Sequence, residues 1–200
     1  MLDSEQFRKA RILIVDDQPA NVRLLERILA GAGYSNVVGT TDPFLVAGIV
    51  AEGEPDLILL DLLMPEKDGF AVMQELAGQI PASAYLPILV LTADTTAEAK
   101  LRALSMGAKD FLAKPFDQGE ALLRIRNLLE TRLLYLALQN ENERLEEMVR
   151  RRTQELEDRL AAARSEADHR RALLEELAAE QAASWADVGG SPGVDGGASI

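Results

Sequence analysis

The chain has 200 residues, of which 48% are hydrophobic and 27% are charged, so it can form one ordinary domain with an appendage. The formal net charge of −12 argues against a sequence-independent grip on nucleic acid, because such a grip needs basic side chains against the phosphates. The absence of cysteine excludes disulfides, zinc thiolates and thiol nucleophiles. The sequence shows no signal-peptide pattern and no apolar run near the roughly 20 residues that cross a bilayer, so we expect a cytoplasmic protein without a membrane partner.

Short apolar runs alternate with helical patterns through residue 118. The predicted strands are 11–15, 36–40, 56–60, 87–91 and 110–113. The predicted helices are 19–33, 43–53, 69–79, 96–108 and one that begins near residue 117. Strands that alternate with helices predict a parallel sheet covered on both faces, so the fold class is α/β with a doubly wound sheet.

Residues 120–185 contain neither glycine nor proline and are rich in Ala, Leu, Glu and Arg, which predicts one long helix. At 1.5 Å per residue such a helix is about 100 Å long, so most of it must project from the domain. Residues 186–200 are rich in glycine, and we expect a disordered tail or a linker there. The predicted organisation is therefore a domain over 1–118, a long helix over 119–185 and a tail over 186–200.

Heptad spacing of apolar side chains in the long helix predicts a coiled coil. The predicted seam consists of Leu128, Tyr135, Leu138, Asn142, Leu145, Val149 and Leu156. After Leu156 the pattern shifts by one stutter and continues from Leu160 to Leu177. Asn142 at a core position is typical of parallel two-stranded coils, so we expect a parallel homodimer. The alternative is a single solvated helix held by Glu–Arg pairs four residues apart.

Polar side chains follow four of the five predicted strands, and the carboxyl ends of strands form the ligand-binding edge of an open α/β sheet. The residues at these ends are Asp16, Asp17, Asp61, Thr92 and Lys114. Each one alone could be a helix cap or a solvated side chain. All five together at one edge indicate a functional site.

The residue types at this edge predict phosphoryl chemistry. Three carboxylates repel one another and need a hard cation, and Mg²⁺ is the cation that also takes water and phosphate oxygens as ligands. We expect Asp17 and Asp61 to bind Mg²⁺ directly, Asp16 to bind it directly or through water, and the backbone carbonyl of Leu63 to complete the protein ligands. A lysine and a hydroxyl beside a nucleophilic carboxylate would offset charge during formation of an aspartyl phosphate.

Residues 10–118 resemble the receiver domain of two-component response regulators. The motifs that carry the resemblance are "ILIVDDQP", "PDLILLDLLMPEKDG", "ILVLTAD" and "GAKDFLAKPF". The resemblance implies a flavodoxin-like (βα)5 fold with strand order 2-1-3-4-5, whose fifth helix continues into the coil. It also implies roles for five residues, namely the phosphoacceptor Asp61, the Mg²⁺-binding pair Asp16 and Asp17, the switch hydroxyl of Thr92 and the lysine Lys114.

The same resemblance implies three finer features. Phe111 falls at the position of the family's switch aromatic, and it could at the same time be a half-buried core side chain at the start of a strand. A cis peptide bond is implied between Lys114 and Pro115. Leu63 and Asp94 occupy two positions that tune the lifetime of the phosphoryl group, and because Leu63 cannot hydrogen-bond an attacking water, we expect slow self-dephosphorylation.

We expect a signalling switch rather than an enzyme. A histidine kinase or phosphotransfer protein would phosphorylate Asp61, and the fifth helix would carry the change into a dimeric coil that engages an unknown output partner. One alternative is the sensory half of a larger regulator whose output enzyme, for example a cyclic-dinucleotide phosphodiesterase or a cyclase, is missing from this chain. A weaker alternative is a phosphorylation-independent dimeric scaffold. We interpret His169, the only histidine, as solvent-facing and not as a phosphoryl carrier.

Overall fold

The computed structural model describes residues 4–81, 84–94 and 96–187. Five strands and six helices alternate along this part of the chain. They are α1 (Ser4–Lys9), β1 (Arg11–Val15), α2 (Pro19–Gly31), β2 (Asn36–Thr40), α3 (Val46–Gly53), β3 (Leu57–Asp61), α4 (Gly69–Gln79), β4 (Ile88–Thr92), α5 (Ala97–Ser105), β5 (Asp110–Ala113) and α6 (Gln118–Asp187).

The five strands form one parallel sheet in the order β2-β1-β3-β4-β5. β3 is the central strand, with Ile58 beside Leu13 of β1 and beside Ile88 of β4. The predicted fold class and strand order are confirmed. The carboxyl ends of β1, β3, β4 and β5 therefore lie at one edge, where the sequence places its polar residues.

Side chains from alternating positions of the strands enter two separate core clusters. Leu57 and Leu59 belong to one cluster, together with buried side chains of α2 and α6. Ile58 and Leu60 belong to the other, together with buried side chains of α3 and α4. Because successive residues of a strand point to opposite faces, β3 is covered on both sides, which explains its unbroken apolar run.

Local signals fix where α4 and α5 begin. The side chain of Asp68 accepts a hydrogen bond from the amide of Ala71 at 2.7 Å and caps α4, and the hydroxyl of Thr96 caps α5 in the same way. Gly69 allows α4 to approach the sheet closely, because a Cβ at this position would overlap the backbone oxygen of Asp61. The loop after β3 thus holds the phosphoacceptor candidate against the start of α4.

The structure shifts β3 and β4 one residue later than predicted and ends α2 and α5 two and three residues earlier, and it differs more clearly in two further helices. Helix α1 was not predicted; it is only six residues long, and Phe7 packs it against the first core cluster. Helix α3 begins at Val46, not at residue 43, because the side chain of Asp42 accepts a hydrogen bond from the amide of Phe44 at 2.8 Å and forms a turn across Pro43.

Helix α6 corresponds to the predicted fifth helix, and its first part belongs to the domain core. Ala121, Ile125, Leu128 and Leu129 are buried in the first core cluster. Leu128 therefore packs inside the domain, and it is not available as the first position of a coiled-coil seam. The heptad pattern could not distinguish these cases, since core-facing and partner-facing helix positions have the same spacing.

The first compact unit of the chain extends to Glu141, and the second begins at Asn142. From Asn142 to residue 184, every residue is exposed except Glu155, which is partly buried as a whole residue. Exposed ion pairs such as Arg152 to Glu155 at 2.9 Å lie along this segment, and His169 is exposed as expected. The predicted tail lies outside the described residues from 188 onward. None of the described helices is long and apolar enough to cross a membrane.

Candidate functional site

Three carboxylates meet at the carboxyl edge of the sheet. Asp16 and Asp17 directly follow β1, and Asp61 is the last residue of β3. One oxygen from each lies within 4.8 Å of the others. Asp16 is 1% exposed and Asp61 is 4% exposed, so two acidic side chains are buried in a small volume. Burial of this kind is costly without positive charge nearby.

Lys114 supplies that positive charge. Its Nζ atom donates to Asp16 Oδ2 at 2.7 Å and to Asp61 Oδ2 at 2.6 Å. The position of Lys114 follows from the sheet, since it comes directly after β5 and its amide donates to the carbonyl of Thr92 at 2.8 Å. The predicted Lys114-Pro115 cis peptide bond is present. Residues separated by 98 and 53 positions in the chain thus form one ion-pair network.

The other oxygens of Asp16 and Asp61 have fixed partners. Asp16 Oδ1 accepts from the amide of Gln18 and from Asn21 Nδ2, each at 2.9 Å. Asp61 Oδ1 accepts from the amide of Leu63 at 3.1 Å. The role of Asn21 was missed from the sequence, although its place in the first turn of α2, five residues after Asp16, was an available signal. The Leu63 carbonyl as a metal ligand stays a prediction.

Asp17 provides the test of whether the site suits a cation. Its Oδ1 atom is buried and has no hydrogen-bond partner. A buried carboxylate oxygen without a donor is costly, and a hard cation that accepts oxygen ligands would satisfy it. The three carboxylates carry more negative charge than Lys114 offsets. The donor set therefore fits Mg²⁺, with Asp16, Asp17 and Asp61 as the residues that would hold it.

The environment of Asp61 alters its acidity. Burial raises the pKa of the Asp61 carboxyl above its ordinary value, while the hydrogen bonds from Lys114 and the Leu63 amide act in the opposite direction. The carboxylate form is therefore stabilised by Lys114 and by the Leu63 amide. Such a carboxylate is a desolvated and oriented nucleophile, which is the state that group transfer to it requires.

Thr92 and Phe111 lie on the neighbouring strands. Thr92 ends β4 and is buried, and its hydroxyl oxygen accepts from the amide of Asp94 at 3.0 Å. Phe111 pairs with Val90 across β4 and β5 and is half-buried, packed against the second core cluster. Lys100 Nζ lies 3.7 Å from the centre of the Phe111 ring. Thr92 thus reaches the site edge, and Phe111 sits on the adjacent surface.

Comparison with known proteins places this arrangement in a family. Residues 12–126 match the response regulator receiver domain. Response regulator PleD of Caulobacter vibrioides is 39% identical over 125 residues, which cover 62% of this chain and 27% of PleD. The DNA-binding dual master transcriptional regulator RpaA of Synechocystis is 42% identical over 119 residues, which cover 60% of this chain and 48% of RpaA.

A solved structure gives the same result for the fold. Chemotaxis protein CheY4 of Vibrio cholerae superposes with a TM-score of 0.56 at 28% identity, covering 60% of this chain and 98% of CheY4. The chain spans about a quarter to a half of the length of these curated relatives. The match includes the strands that carry the acidic cluster and Lys114. The chain belongs to the response regulator receiver domain family.

Proposed function

We propose that the first unit is a phosphorylation switch in which Asp61 accepts a phosphoryl group in the presence of Mg²⁺. The observation that carries the proposal is the contact of Lys114 Nζ with both Asp16 and Asp61, beside the unpartnered oxygen of Asp17. A structural ion pair would need one carboxylate and not three. The excess of negative charge indicates a site prepared for a cation and a phosphoryl group.

The transfer follows from this geometry. A carboxylate oxygen of Asp61 attacks phosphorus and forms an O–P bond, while the P–N bond of a phosphohistidine breaks and the imidazole keeps the electron pair. Lys114 offsets charge on the phosphoryl oxygens, and Thr92 offers its hydroxyl to one of them. Bound Mg²⁺ would supply further charge stabilisation and orientation. The donor is a histidine kinase or a phosphotransfer protein.

The chain acts in this proposal as a phosphoacceptor and not as a turnover enzyme. The side chain of Leu63 is 56% exposed beside Asp61 and has no group that can orient a water. Hydrolysis of the aspartyl phosphate is therefore slow. Loss of the phosphoryl group within seconds in Mg²⁺ would contradict this part of the proposal.

The output proceeds through a homodimer in the proposed mechanism. Leu138, Leu145, Val149 and Leu156 are each about half exposed or more on α6. Such a row of large apolar side chains at heptad spacing is stabilised by a second copy of the helix, and Asn142 favours the parallel register. Phosphorylation would alter the geometry of this coil, which then engages an output partner.

A second candidate is the sensory half of a larger regulator. It is favoured by the short coverage of the curated relatives, since PleD matches this chain over 27% of its own length. In that case the coil transmits a rotation or register shift to an output enzyme, such as a cyclic-dinucleotide phosphodiesterase or a cyclase. A scaffold without phosphorylation is the third candidate, and the intact acidic cluster with Lys114 counts against it.

Phosphorylation is tested with a small-molecule phosphodonor and Mg²⁺ on the full chain. We expect an acid-stable, base-labile phosphoryl adduct by intact mass spectrometry. Asp61→Asn is the matched control, because it keeps the shape of the side chain and removes the nucleophile. No adduct on the wild type would favour the scaffold.

The dimer is tested by solution molar mass with and without the phosphoryl mimic beryllofluoride. The comparison uses the full chain and a chain ending at Glu141, because this end keeps the whole first unit with Leu128 and Leu129 in its core. We expect a dimer for the full chain and a monomer for the shorter one. A full-length monomer in both states would contradict the coiled coil.

A further inference from the structure

Arg132 is a charged residue that the domain buries. It lies on α6 one turn beyond the core residue Leu128, and its side chain is only 13% exposed. Its Nη1 atom donates to the carbonyl of Tyr85 at 2.6 Å. Its Nε atom lies 3.6 Å from Oδ1 of Asp56, whose side chain is 17% exposed. This Nε atom is buried and makes no hydrogen bond, so its contact with Asp56 is an ion pair beyond hydrogen-bond distance.

Aromatic contacts surround this pair. The rings of Tyr85 and Tyr135 have centroids 5.6 Å apart and are tilted by 40°. Lys109 Nζ lies 5.3 Å from the centre of the Tyr85 ring. Two residues of α6 therefore contact Tyr85 before β4: Arg132 at its backbone carbonyl and Tyr135 at its ring. Contacts of this kind hold a helix in one position, since the buried charge loses its partners if the helix moves.

The two residues that Arg132 contacts, Asp56 and Tyr85, precede the two strands whose carboxyl ends lie at the site. Asp56 is the residue before β3, and Tyr85 lies shortly before β4. At about 3.3 Å per residue, each five-residue strand spans about 17 Å from this base to the carboxyl edge. The carboxyl ends of these same strands carry Asp61 and Thr92. Asp56 is further tied to β1, because its Oδ2 accepts from the amide of Arg11 at 2.9 Å.

We propose that Arg132 and Tyr135 anchor α6 to the amino-terminal ends of β3 and β4, and that this anchor transmits a change at Asp61 and Thr92 to the remainder of α6. The first half of the proposal stands on the contacts alone. The second half rests on the proposed phosphorylation of Asp61. Arg132 is in this view a positioning residue that acts on the output helix and has no part in phosphoryl transfer.

The anchor is tested by hydrogen exchange of the full chain in the wild type, Arg132→Met and Arg132→Lys. Methionine keeps the length and packing of the side chain but donates no hydrogen bond, and lysine keeps the charge without the planar guanidinium. We expect the amides of residues 130–141 to exchange about tenfold faster in Arg132→Met and to show an intermediate rate in Arg132→Lys. The amides of β1 should be unchanged, which reports that the domain remains folded.

Arg151→Met is the matched control, because Arg151 makes an exposed pair with Glu155 at 3.5 Å on the same helix. It should leave exchange in 130–141 as in the wild type. Rates within about twofold of the wild type in both Arg132 variants would overturn the anchor. If Arg132→Met also loosens β1, the Arg132→Lys result decides.

Transmission is tested by adding beryllofluoride and Mg²⁺ to the same proteins. We expect the wild type to change its exchange over residues 142–156 and Arg132→Met to lose at least about half of that change. Binding of the mimic at Asp61, measured by the exchange of β3 amides, should be equal in the wild type and in Arg132→Met. An equal response in both proteins, or no response over 142–156 in a wild type that binds the mimic, would overturn transmission. A wild type that fails to bind the mimic would instead contradict the phosphoacceptor role, and the anchor would still be decided by the first experiment.

Discussion

The two units of the chain use the same kinds of residue in opposite ways. Up to Glu141, leucines and isoleucines fill two core clusters around the sheet. From Asn142 to residue 184, leucines of the same size are exposed to solvent. The first unit therefore contains its own source of stability, whereas the described residues of the second rely on helix propensity and exposed ion pairs. In the proposed homodimer a second copy of the helix would cover the apolar side chains.

This difference indicates that a structural change can begin in the first unit, whereas the second unit can only transmit it. The ion pair between the buried Asp61 and the partly buried Lys114 gives the first unit a site whose charge matters for its structure. The helix beyond Glu141 has no such site among the described residues. In the proposed mechanism the response of this segment therefore follows from the start of α6 in the first unit and from the second copy of the helix.

The largest expected effect is a cavity in the first unit that has no counterpart in the second. Leu59→Ala removes a fully buried side chain and should lower the free energy of unfolding by about 2–5 kcal/mol. Leu156→Ala removes the same atoms from the second unit and should lower the free energy of unfolding of the first unit by less than about 0.5 kcal/mol. Exchange of β3 amides in a urea series measures both values for the first unit. Equal losses in Leu59→Ala and Leu156→Ala would contradict the difference between the two units.

Two glycines of one helix sharpen the comparison within the first unit. Gly69→Ala places a Cβ against the backbone oxygen of Asp61 and should cost about 1–3 kcal/mol. Gly78 lies in the last turn of the same helix, and a Cβ added there would have no heavy atom within 4 Å. Gly78→Ala should therefore raise the free energy of unfolding by about 0.5 kcal/mol, because alanine is the better helix former. Urea unfolding followed by exchange of β3 amides gives both signs, and a loss in both variants would contradict the close approach at Gly69.

A smaller effect than that of Gly69→Ala, and of opposite sign, is expected when the charge of Asp61 is removed. Because burial raises the pKa of this carboxyl in the folded state, its ionised form costs stability above the unfolded-state pKa of about 3.9. Asp61→Asn should therefore melt a few degrees higher than the wild type at pH 7 in a chelator. The difference should shrink as the pH falls toward 4, where the wild-type carboxyl becomes protonated. A lower melting temperature for Asp61→Asn at pH 7 would mean that the pairing with Lys114 outweighs burial.

The smallest expected effect concerns a surface pair. Arg124 donates two hydrogen bonds to Asp110, at 2.8 and 2.7 Å, and is one-third exposed. Arg124→Met should lower the free energy of unfolding by about 0.5–1 kcal/mol, while Arg151→Met in the second unit should change it by less. Exchange of β5 amides at low and high salt measures the loss of unfolding free energy. Because salt screens the charges, the loss caused by Arg124→Met should be smaller at high salt. A salt-independent loss would indicate packing and not charge.

The strands and the site could be predicted because their signals are local. An apolar run that ends in Asp61, or an Asp16-Asp17 pair after a strand, places the side chains once a parallel sheet is assumed. The order of the strands came from the resemblance to receiver domains. Asn21 was within reach of the same reasoning, because it stands in the first turn of the helix that follows Asp16 and Asp17.

The rest depends on contacts that the sequence does not display. Arg132 looks like a solvated residue of an Arg- and Glu-rich helix, and its partner Asp56 is 76 positions away. Leu128 has the heptad spacing of a seam, yet the domain covers it. Helix α1 is too short for a periodic signal and forms because Phe7 packs on the core. In each case tertiary packing decides what the local pattern leaves open.

The burial of β3 on both faces has a consequence for the alignment of the sheet. A strand with one apolar face resists slippage, because a shift by one residue would expose that face. Both faces of β3 are covered by apolar side chains, those of Leu57, Ile58, Leu59 and Leu60. Hydrophobic burial alone would therefore tolerate a shift by one residue. The two ends of the strand specify its register instead, since Asp56 pairs with the amide of Arg11 and Asp61 with Lys114. Asp61, the proposed phosphoacceptor, is thus also one of the two residues that keep the central strand in place.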